Sequence, residues 1–424
     1  MRWVVVAALI AGCNGATPAP APAPAPEKHA GSGAPVATAA ASTAAPTSKG
    51  GLVEGAMVRP HHEEPVVECP AKIPDVADDE ARVTGLLDEA NKQIEIGAFG
   101  PAWTCADRAA DLAPTSVEAH HLRGAALAAL GRDVEAQTAY ALALALDPDD
   151  PETLRAVADF YINGKGERGR DALRLGLELA QRGSRRALAR RRRNAPLAAD
   201  LAVLEAQALN DLGRSDEALE RVDAALRIVP GRGDALHEKG VALFDLSRFA
   251  DAKGAFQKAL GIQPDDPYTH QMLGLTLEQL KDPNADAELA RAVALAPTEL
   301  SPPILITKAD FQKEIDQVIA SLPSERRTHV KQIKVEIEDL PLATDLKAVA
   351  PPFPPTILGL YRGPVGRAPA PGDEAPSIVL YRKNLARAVK TRTELTEQIR
   401  DTLLHEIGHL EGLDEDDLRR RGME

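Results

Sequence analysis

The chain has 424 residues, of which 44% are hydrophobic and 3% are aromatic. A chain of this length is expected to form two or three domains, since one domain averages roughly 150 residues. Because aromatic side chains are scarce, the core is expected to consist of Ala, Leu, Val and Ile, which suits closely packed helices better than a sandwich of strands. The 63 acidic residues outnumber the 50 basic ones, and the net charge of −13 opposes binding to nucleic acid.

The first residues have the composition of an export signal. A short apolar run, residues 3–10, follows a basic residue, is too short to span a bilayer and leads into small residues before Cys13. The segment Ile10-Ala11-Gly12-Cys13 resembles the lipobox of bacterial lipoproteins. This resemblance implies that residues 1–12 are a removed signal peptide and that Cys13 carries lipid. The protein would then be exported and anchored to a bacterial membrane, with the outer membrane or periplasmic face favoured. An ordinary signal peptide with a chance cysteine is the alternative.

Residues 13–78 are rich in Pro, Ala, Ser and Thr, and contain few large apolar side chains. The alternating Ala-Pro tract at residues 17–26 favours extended polyproline II geometry. We therefore predict a disordered tether between the membrane and the folded part of the chain. Cys69 and Cys105 would share an oxidising compartment after export, so they are either paired in a disulfide or separate.

The middle of the chain repeats every 34 residues. Four prolines that end helical segments, Pro114, Pro148, Pro230 and Pro264, are separated by 34, 82 and 34 residues. Small residues recur in the first helix of each unit, in the second helix, and at a third position further along: Ala90, Gly124, Ala206, Gly240 and Gly274; Ala102, Ala136, Ala218 and Ala252; and Ala109, Ala143, Ala225, Ala259 and Ala292. The turn between the helices is marked by Gly97, Gly131, Gly213 and Ser247.

This pattern resembles the tetratricopeptide repeat over residues 79–297, in about six units of which the third is degenerate. Small residues allow two antiparallel helices to cross closely. The resemblance implies an α-solenoid whose groove holds a protein or peptide partner. An Ala-rich bundle without true repeats is the alternative. Between units three and four, the segment Arg182 to Asn194 carries Arg182, Arg185, Arg186 and the run Arg190 to Arg193. Taken alone it suggests nucleic acid or an acidic partner, but in an acidic chain we favour a polar helix or connector over a docking patch.

Residues 304–424 lack the 34-residue repeat and combine helical and strand patterns, which predicts a small α+β domain. A helix is expected at Asp310 to Leu322, ended by a proline. Short strands are expected at residues 331–338, 357–361 and 377–381, from their apolar and β-branched composition. A further helix is expected from Thr393 to Leu410. The predicted fold class is therefore mostly α, with a solenoid followed by a small α+β domain.

The last predicted helix contains His405-Glu406-Ile407-Gly408-His409. A spacing of four residues on a helix places both imidazoles on one face, about 6 Å apart, where they can ligate one Zn²⁺ ion. Glu406 lies beside them and can take a proton from zinc-bound water. Gly412 permits the left-handed turn that ends the helix. The spacing His405-Glu406-x-x-His409-x-x-Gly412-x-x-Glu415 resembles the extended zincin pattern, which implies that Glu415 is the third ligand, with Asp414 as the alternative.

The segment from about Phe311 onward resembles the minimal zincin-like metallopeptidases of bacteria. Matching pieces include Leu358-Gly359-Leu360-Tyr361-Arg362-Gly363 and the terminal H-E-I-G-H-L-E-G-L-D-E-D-D-L. This resemblance implies a zinc metallopeptidase in which Glu406 activates water for peptide-bond hydrolysis. Together with the lipobox and the repeats, it implies a membrane-anchored enzyme whose solenoid recruits substrate or partner. Tyr361, Tyr381 or Arg382 would supply an oxyanion donor, or serve the core and surface instead. The alternative function is a non-catalytic adaptor lipoprotein of a cell-envelope complex.

Overall fold

The computed structural model describes residues 68–71, 78–164, 169–189, 194–331, 333–363, 375–413 and 415–420. All of them belong to one compact unit. The predicted lipidation site Cys13, the signal peptide, nearly all of the tether, the arginine run at residues 190–193 and Asp414 lie outside the described residues. None of the described helices combines the length and the apolar composition needed to cross a membrane.

The described part of the chain begins with six pairs of antiparallel helices. These are α1 (Asp79–Glu95), α2 (Phe99–Leu112), α3 (Val117–Ala129), α4 (Asp133–Leu146), α5 (Pro151–Asn163), α6 (Arg170–Ala187), α7 (Ala195–Asp211), α8 (Ser215–Ile228), α9 (Gly233–Asp245), α10 (Phe249–Leu260), α11 (Pro267–Gln279) and α12 (Ala285–Leu295). Local signals fix where they begin: the Asp150 carboxylate accepts the Thr153 N–H at 2.8 Å, and proline occupies the first turn of α5.

The repeated small residues lie where paired helices cross, as the period predicts. Ala90, Ala102, Ala109, Ala136, Ala143, Ala206, Ala218, Ala225, Ala252, Ala259 and Ala292 are all 2% exposed or less. A Cβ on Gly240 would lie 2.4 Å from the Phe256 ring, and one on Gly124 would lie 2.6 Å from the Tyr140 ring. The turn residues Gly97, Gly131 and Gly213 have φ of 76°, and Ser247 has φ of 55°. The predicted solenoid is therefore confirmed.

The odd-numbered helices form one row, in which each helix contacts the next odd-numbered helix. Side-chain hydrogen bonds join neighbours within this row. They include His121 with Thr153 at 3.2 Å, Asn163 with Gln207 at 2.9 Å, Asn210 with Glu238 at 3.0 Å, and His237 with Thr269 at 2.7 Å. Because the odd-numbered helices approach one another in this way, they form the inner layer of the solenoid, and the groove is lined by this row.

The third unit departs from the repeat, and its packing explains why. In α6 the close approaches are made by Gly176, whose Cβ position lies 2.6 Å from Ile162, and by Gly183, whose Cβ position lies 2.8 Å from Leu201. The start of the predicted connector forms the last turns of α6, where Arg182 and Arg186 both pair with Asp149. These two arginines are therefore engaged in ion pairs with a residue of the solenoid itself.

A disulfide joins Cys69 to Cys105, so the chain preceding α1 is covalently attached to α2. Cys105 is fully buried, and both sulfur-bearing residues pack against the core of the first unit, with Leu86 and Ala90. The sequence left the pairing of these cysteines open, and the structure pairs them.

The C-terminal region combines helices with a three-stranded sheet. Its elements are α13 (Lys308–Ser321), α14 (Ser324–Val330), β1 (Lys334–Glu338), α15 (Ala343–Leu346), β2 (Gly359–Arg362), β3 (Ser377–Tyr381), α16 (Arg382–Ala388), α17 (Arg392–Leu410) and α18 (Glu415–Arg420). The strand order is β1-β3-β2, with β1 parallel and β2 antiparallel to β3. The predicted fold class is confirmed, although β1 begins three residues later than expected.

The two faces of this sheet are buried in different cores. Ile378 and Leu380 of β3 face α13 and α17, and pack with Phe311 and Ile399. Val379 and Tyr381 alternate to the opposite face. They belong to a core that also contains four solenoid side chains: Phe244, Phe256, Leu273 and Leu277.

An ion-pair cluster reinforces this junction between the solenoid and the α+β region. Glu278 of α11 has a side chain only 4% exposed, and it accepts hydrogen bonds from Lys383, at 2.7 Å, and from Arg387. Both cations lie on α16. Removing either side of a buried charge cluster leaves a charge without compensation, so Glu278 ties the last repeat to the helix that precedes α17.

Candidate metal centre

Helix α17 holds the candidate site because one of its faces is fixed in the core. The Thr391 side chain accepts the Glu394 N–H at 3.2 Å and caps the helix. Leu395, Ile399 and Leu403 are fully buried, at the helical spacing the sequence predicts. This packing sets the rotation of the helix and therefore the direction of the side chains in its last two turns.

His405 and His409 lie together near the end of α17. Their Nε2 atoms are 3.1 Å apart, and their rings meet edge to face with centroids 4.8 Å apart. His405 is 5% exposed. The Nδ1 atom of His409 lies 3.1 Å from the backbone oxygen of Leu413. Because a carbonyl oxygen can only accept, Nδ1 carries a proton, and in the neutral ring Nε2 of His409 then presents a lone pair.

This donor set fits a zinc ion. Two nitrogens that each lie 2.0–2.1 Å from one tetrahedral Zn²⁺ are about 3.3 Å apart, close to the separation of the two Nε2 atoms. The Leu413 carbonyl is the kind of outer partner that orients a metal-binding histidine. Both the distance and the tautomer therefore suit His405 and His409 as metal ligands.

The chain turns back directly after the two histidines. Gly412 has φ of 83°, the left-handed conformation that the sequence predicts, and the Leu413 N–H donates to the Gly408 oxygen at 3.0 Å. Helix α18 then begins at Glu415, and its Leu418 is fully buried.

Asp414 lies outside the described residues, as does the side chain of Glu415. Within the part of the chain that the structure describes, no three His, Cys, Asp or Glu side chains are gathered in a way that could hold a metal. The third ligand therefore stays a prediction.

Glu406 points away from solvent, between α17 and β2. It is 1% exposed. Its Oε1 atom lies 3.2 Å, and its Cγ atom 3.3 Å, from the position that a Cβ on Gly359 would occupy. The candidate proton acceptor is thus next to one histidine along the helix and in close contact with a strand backbone.

Strand β2 presents an edge at this point. Among the described residues it pairs with β3 alone. The Tyr381 N–H donates to the Leu358 oxygen at 2.9 Å, so Leu358 and Tyr381 form a hydrogen-bonded pair and Gly359, opposite Leu380, does not. The N–H and C=O of Gly359 therefore point away from β3, toward the edge of the sheet, although the residue itself is buried.

The three side chains considered as oxyanion donors have other roles. Arg382 bonds the Asp339 carboxylate at 2.7 Å and the Ile306 oxygen at 2.6 Å. Tyr381 is fully buried on the far face of the sheet, and its hydroxyl donates to Asp345 at 3.4 Å. Burial, reinforced by the Asp345 carboxylate, raises the pKa of Tyr381. Burial also raises the pKa of Tyr361, which packs in the core with α17.

Sequence reasoning missed two parts of the site, Gly359 and the Leu413 carbonyl. A glycine inside a strand pattern is a signal of close backbone approach and could have identified the first. The second could not have been found, since a backbone carbonyl carries no residue signature.

Comparison with protein families agrees with this division of the chain. Residues 330–423 match the zincin-like metallopeptidase family. Residues 117–150 and 237–299 match tetratricopeptide repeat families. A search of curated proteins found no match.

Several solved structures resemble the helical region. PilF of Pseudomonas aeruginosa is 14% identical with a TM-score of 0.44, and the alignment covers 56% of this chain and 99% of PilF. PilW, described as a widely conserved type IV pilus biogenesis factor, is 16% identical with a TM-score of 0.44, covering 51% and 94%. A thermophilic tetratricopeptide repeat protein of Thermus thermophilus is 18% identical with a TM-score of 0.38, covering 46% and 99%. At these values the resemblance carries no functional argument.

Proposed function

We propose that the C-terminal domain is a zinc-dependent peptidase and that the solenoid recruits its substrate. The chain contains tetratricopeptide repeats and a zincin-like metallopeptidase domain. The observation that carries the proposal is the facing pair of Nε2 atoms, 3.1 Å apart, on His405 and His409. A pair of structural histidines would need no such arrangement beside a buried carboxyl group.

The chain's own residues have distinct parts in the proposed reaction. When bound, zinc supplies a Lewis acid at the scissile carbonyl and makes water more acidic. His405 and His409 bind it through Nε2, and the Leu413 carbonyl holds the His409 ring in the required tautomer. Glu406 takes a proton from the attacking water onto a carboxylate oxygen and later returns it to the leaving nitrogen. Glu415, or Asp414, is proposed as the third ligand.

The edge of β2 is the proposed place for the substrate backbone. An extended peptide pairs with a sheet edge through main-chain hydrogen bonds, and β2 is an edge strand of the described sheet. The pairing would lay the peptide across the end of α17, where Glu406 lies. This placement favours peptide hydrolysis over reactions of small molecules.

The solenoid is proposed to recruit the substrate or a protein that delivers it. Tetratricopeptide repeats are protein-interaction modules whose inner layer forms a groove. The Glu278 cluster and the shared core hold the last repeats against the sheet. A segment bound in the groove would thus be presented to the catalytic domain in one orientation.

Export and lipid anchoring through Cys13 are proposed on independent grounds. The disulfide between Cys69 and Cys105 suits a protein that folds in an oxidising compartment. An exported chain with a lipid at Cys13 would be held on the membrane by residues 13–78.

Two measurements on the purified full chain test the proposed function. We expect one zinc ion per chain by elemental analysis, and cleavage of fluorescently labelled casein that falls at least about 1000-fold in Glu406→Gln. Glu397→Gln, an exposed carboxylate on the same helix, is the matched control and should retain activity. Stoichiometric zinc without cleavage of casein or of a broad peptide library would favour the adaptor, and a zinc-free protein without activity would refute the peptidase.

A further inference from the structure

Gly359 stands in β2 with ordinary strand geometry. It is not among the glycines with positive φ, so its backbone conformation would accept any residue. What distinguishes the position is the space that a side chain would need. In the register of the sheet, Gly359 lies opposite Leu380 and faces α17.

A Cβ at this position would collide with the catalytic helix. It would lie 2.7 Å from Cγ2 of Thr402 and 3.2 Å from Oε1 of Glu406. The first distance is shorter than real Cβ contacts, so an atom must move. Thr402 is 7% exposed and lies about one helical turn after Ile399, which is fully buried. Because buried side chains are closely packed, α17 resists a shift. The Glu406 oxygen, at 3.2 Å, must also give by a few tenths of an ångström, and it stands at the end of a longer side chain than the Thr402 methyl group.

We infer that Gly359 is a positioning residue for the proposed reaction. Its missing side chain lets the Glu406 carboxylate lie directly against β2, the edge strand that is proposed to pair with the substrate backbone. This inference rests on the proposed function.

Two roles for Gly359 make different predictions. If the glycine only allows tight packing, a larger residue should weaken folding and zinc binding together. If it positions Glu406, a larger residue should lower kcat far more than it changes KM or zinc affinity, because the atoms nearest the added Cβ belong to Thr402 and Glu406 and not to either histidine. A catalytic group misplaced by about 1 Å loses on the order of 100-fold in rate, and this is the upper limit for a displacement of a few tenths of an ångström.

The experiment measures casein cleavage, zinc affinity by chelator competition, and the thermal midpoint in Gly359→Ala. We expect kcat to fall about 10- to 100-fold, KM and zinc affinity to stay within about threefold, and the midpoint to fall by a few degrees. Gly254→Ala is the matched control, because a Cβ there meets nothing within 4 Å. It should leave kcat and zinc affinity unchanged and should not lower the midpoint.

Two second-site variants identify the contact. Thr402→Ser removes the methyl group that a Cβ would strike, so the double variant should recover at least half of the lost kcat. Glu406→Ala removes the displaced carboxylate, so adding Gly359→Ala to it should cost less in thermal midpoint than adding it to the natural chain. This second comparison needs no activity. Unchanged kcat in folded Gly359→Ala, parallel loss of zinc, or an equal midpoint loss in both backgrounds would overturn the inference. If Gly359→Ala lowers the thermal midpoint less in the Glu406→Ala background than in the natural chain, but the natural chain cleaves no substrate, the contact between Gly359 and Glu406 is supported and the peptidase function is rejected.

Discussion

The shared core between the solenoid and the sheet makes a specific prediction about Leu277. This side chain of α11 is 3% exposed and belongs to the same core as Val379 and Tyr381 of β3, both fully buried. Truncating a buried leucine to alanine costs about 2–5 kcal/mol, because apolar contact is lost and a cavity remains. If the last repeats and the sheet unfold as one unit, Leu277→Ala should lower the stability of β3 by a similar amount.

Hydrogen exchange measured by mass spectrometry can test this prediction segment by segment. A loss of about 2 kcal/mol should accelerate exchange in Ser377–Tyr381 roughly 30-fold, under conditions where exchange reports the opening equilibrium. Leu280→Ala is the matched control at the end of the same helix, where the side chain is 38% exposed, and should have an effect under about 1 kcal/mol. Faster exchange in α11 with unchanged exchange in Ser377–Tyr381 would show that the sheet is stable without the solenoid.

Two further predictions concern the solenoid. Gly240→Ala should destabilise the chain by about 1–3 kcal/mol, because its Cβ would lie 2.4 Å from the Phe256 ring. Gly254→Ala should instead stabilise the chain by up to about 1 kcal/mol, because a Cβ there meets nothing within 4 Å. Urea unfolding gives both free energies, and equal effects would contradict the geometry of the helix crossing. Burial, with two neighbouring carboxylates, raises the pKa of Asp245 to about 7. The folded state therefore binds the extra proton between about pH 4 and 7, and stability falls as the pH rises through that window. Asp245→Asn should be more stable than the natural chain at pH 8 by on the order of 1–2 kcal/mol, after allowance for partial exposure, and the gap should close toward pH 4.

The sequence predicts the solenoid well because its crossings require small residues at a fixed period. Ala102 and Ala136 are fully buried where the period places them. The third unit is less predictable, since Gly176 and Gly183 make the close approaches out of register. The shared core is not predictable from local pattern at all, because Leu277 and Val379 are about 100 residues apart and periodicity carries no information about such contacts.

The candidate site is likewise predictable from the sequence only in part. A helical spacing of four is enough to place His405 beside His409, since the geometry of one helix determines it. The relation of Glu406 to Gly359 depends on how α17 packs against β2, which only tertiary structure defines. The third ligand follows the turn at Gly412, where the position of a side chain is set by the loop rather than by any repeating geometry.

The disulfide determines how tension would travel through the chain. Cys69 is bonded to Cys105 in α2, with a sequence separation of 36, so a pull applied from the amino-terminal side enters the solenoid at α2. Helix α1 lies within the covalent loop and carries none of that load. A tethered protein under force from a bound partner would therefore keep α1 folded, where an unlinked terminal helix would be the first to unfold.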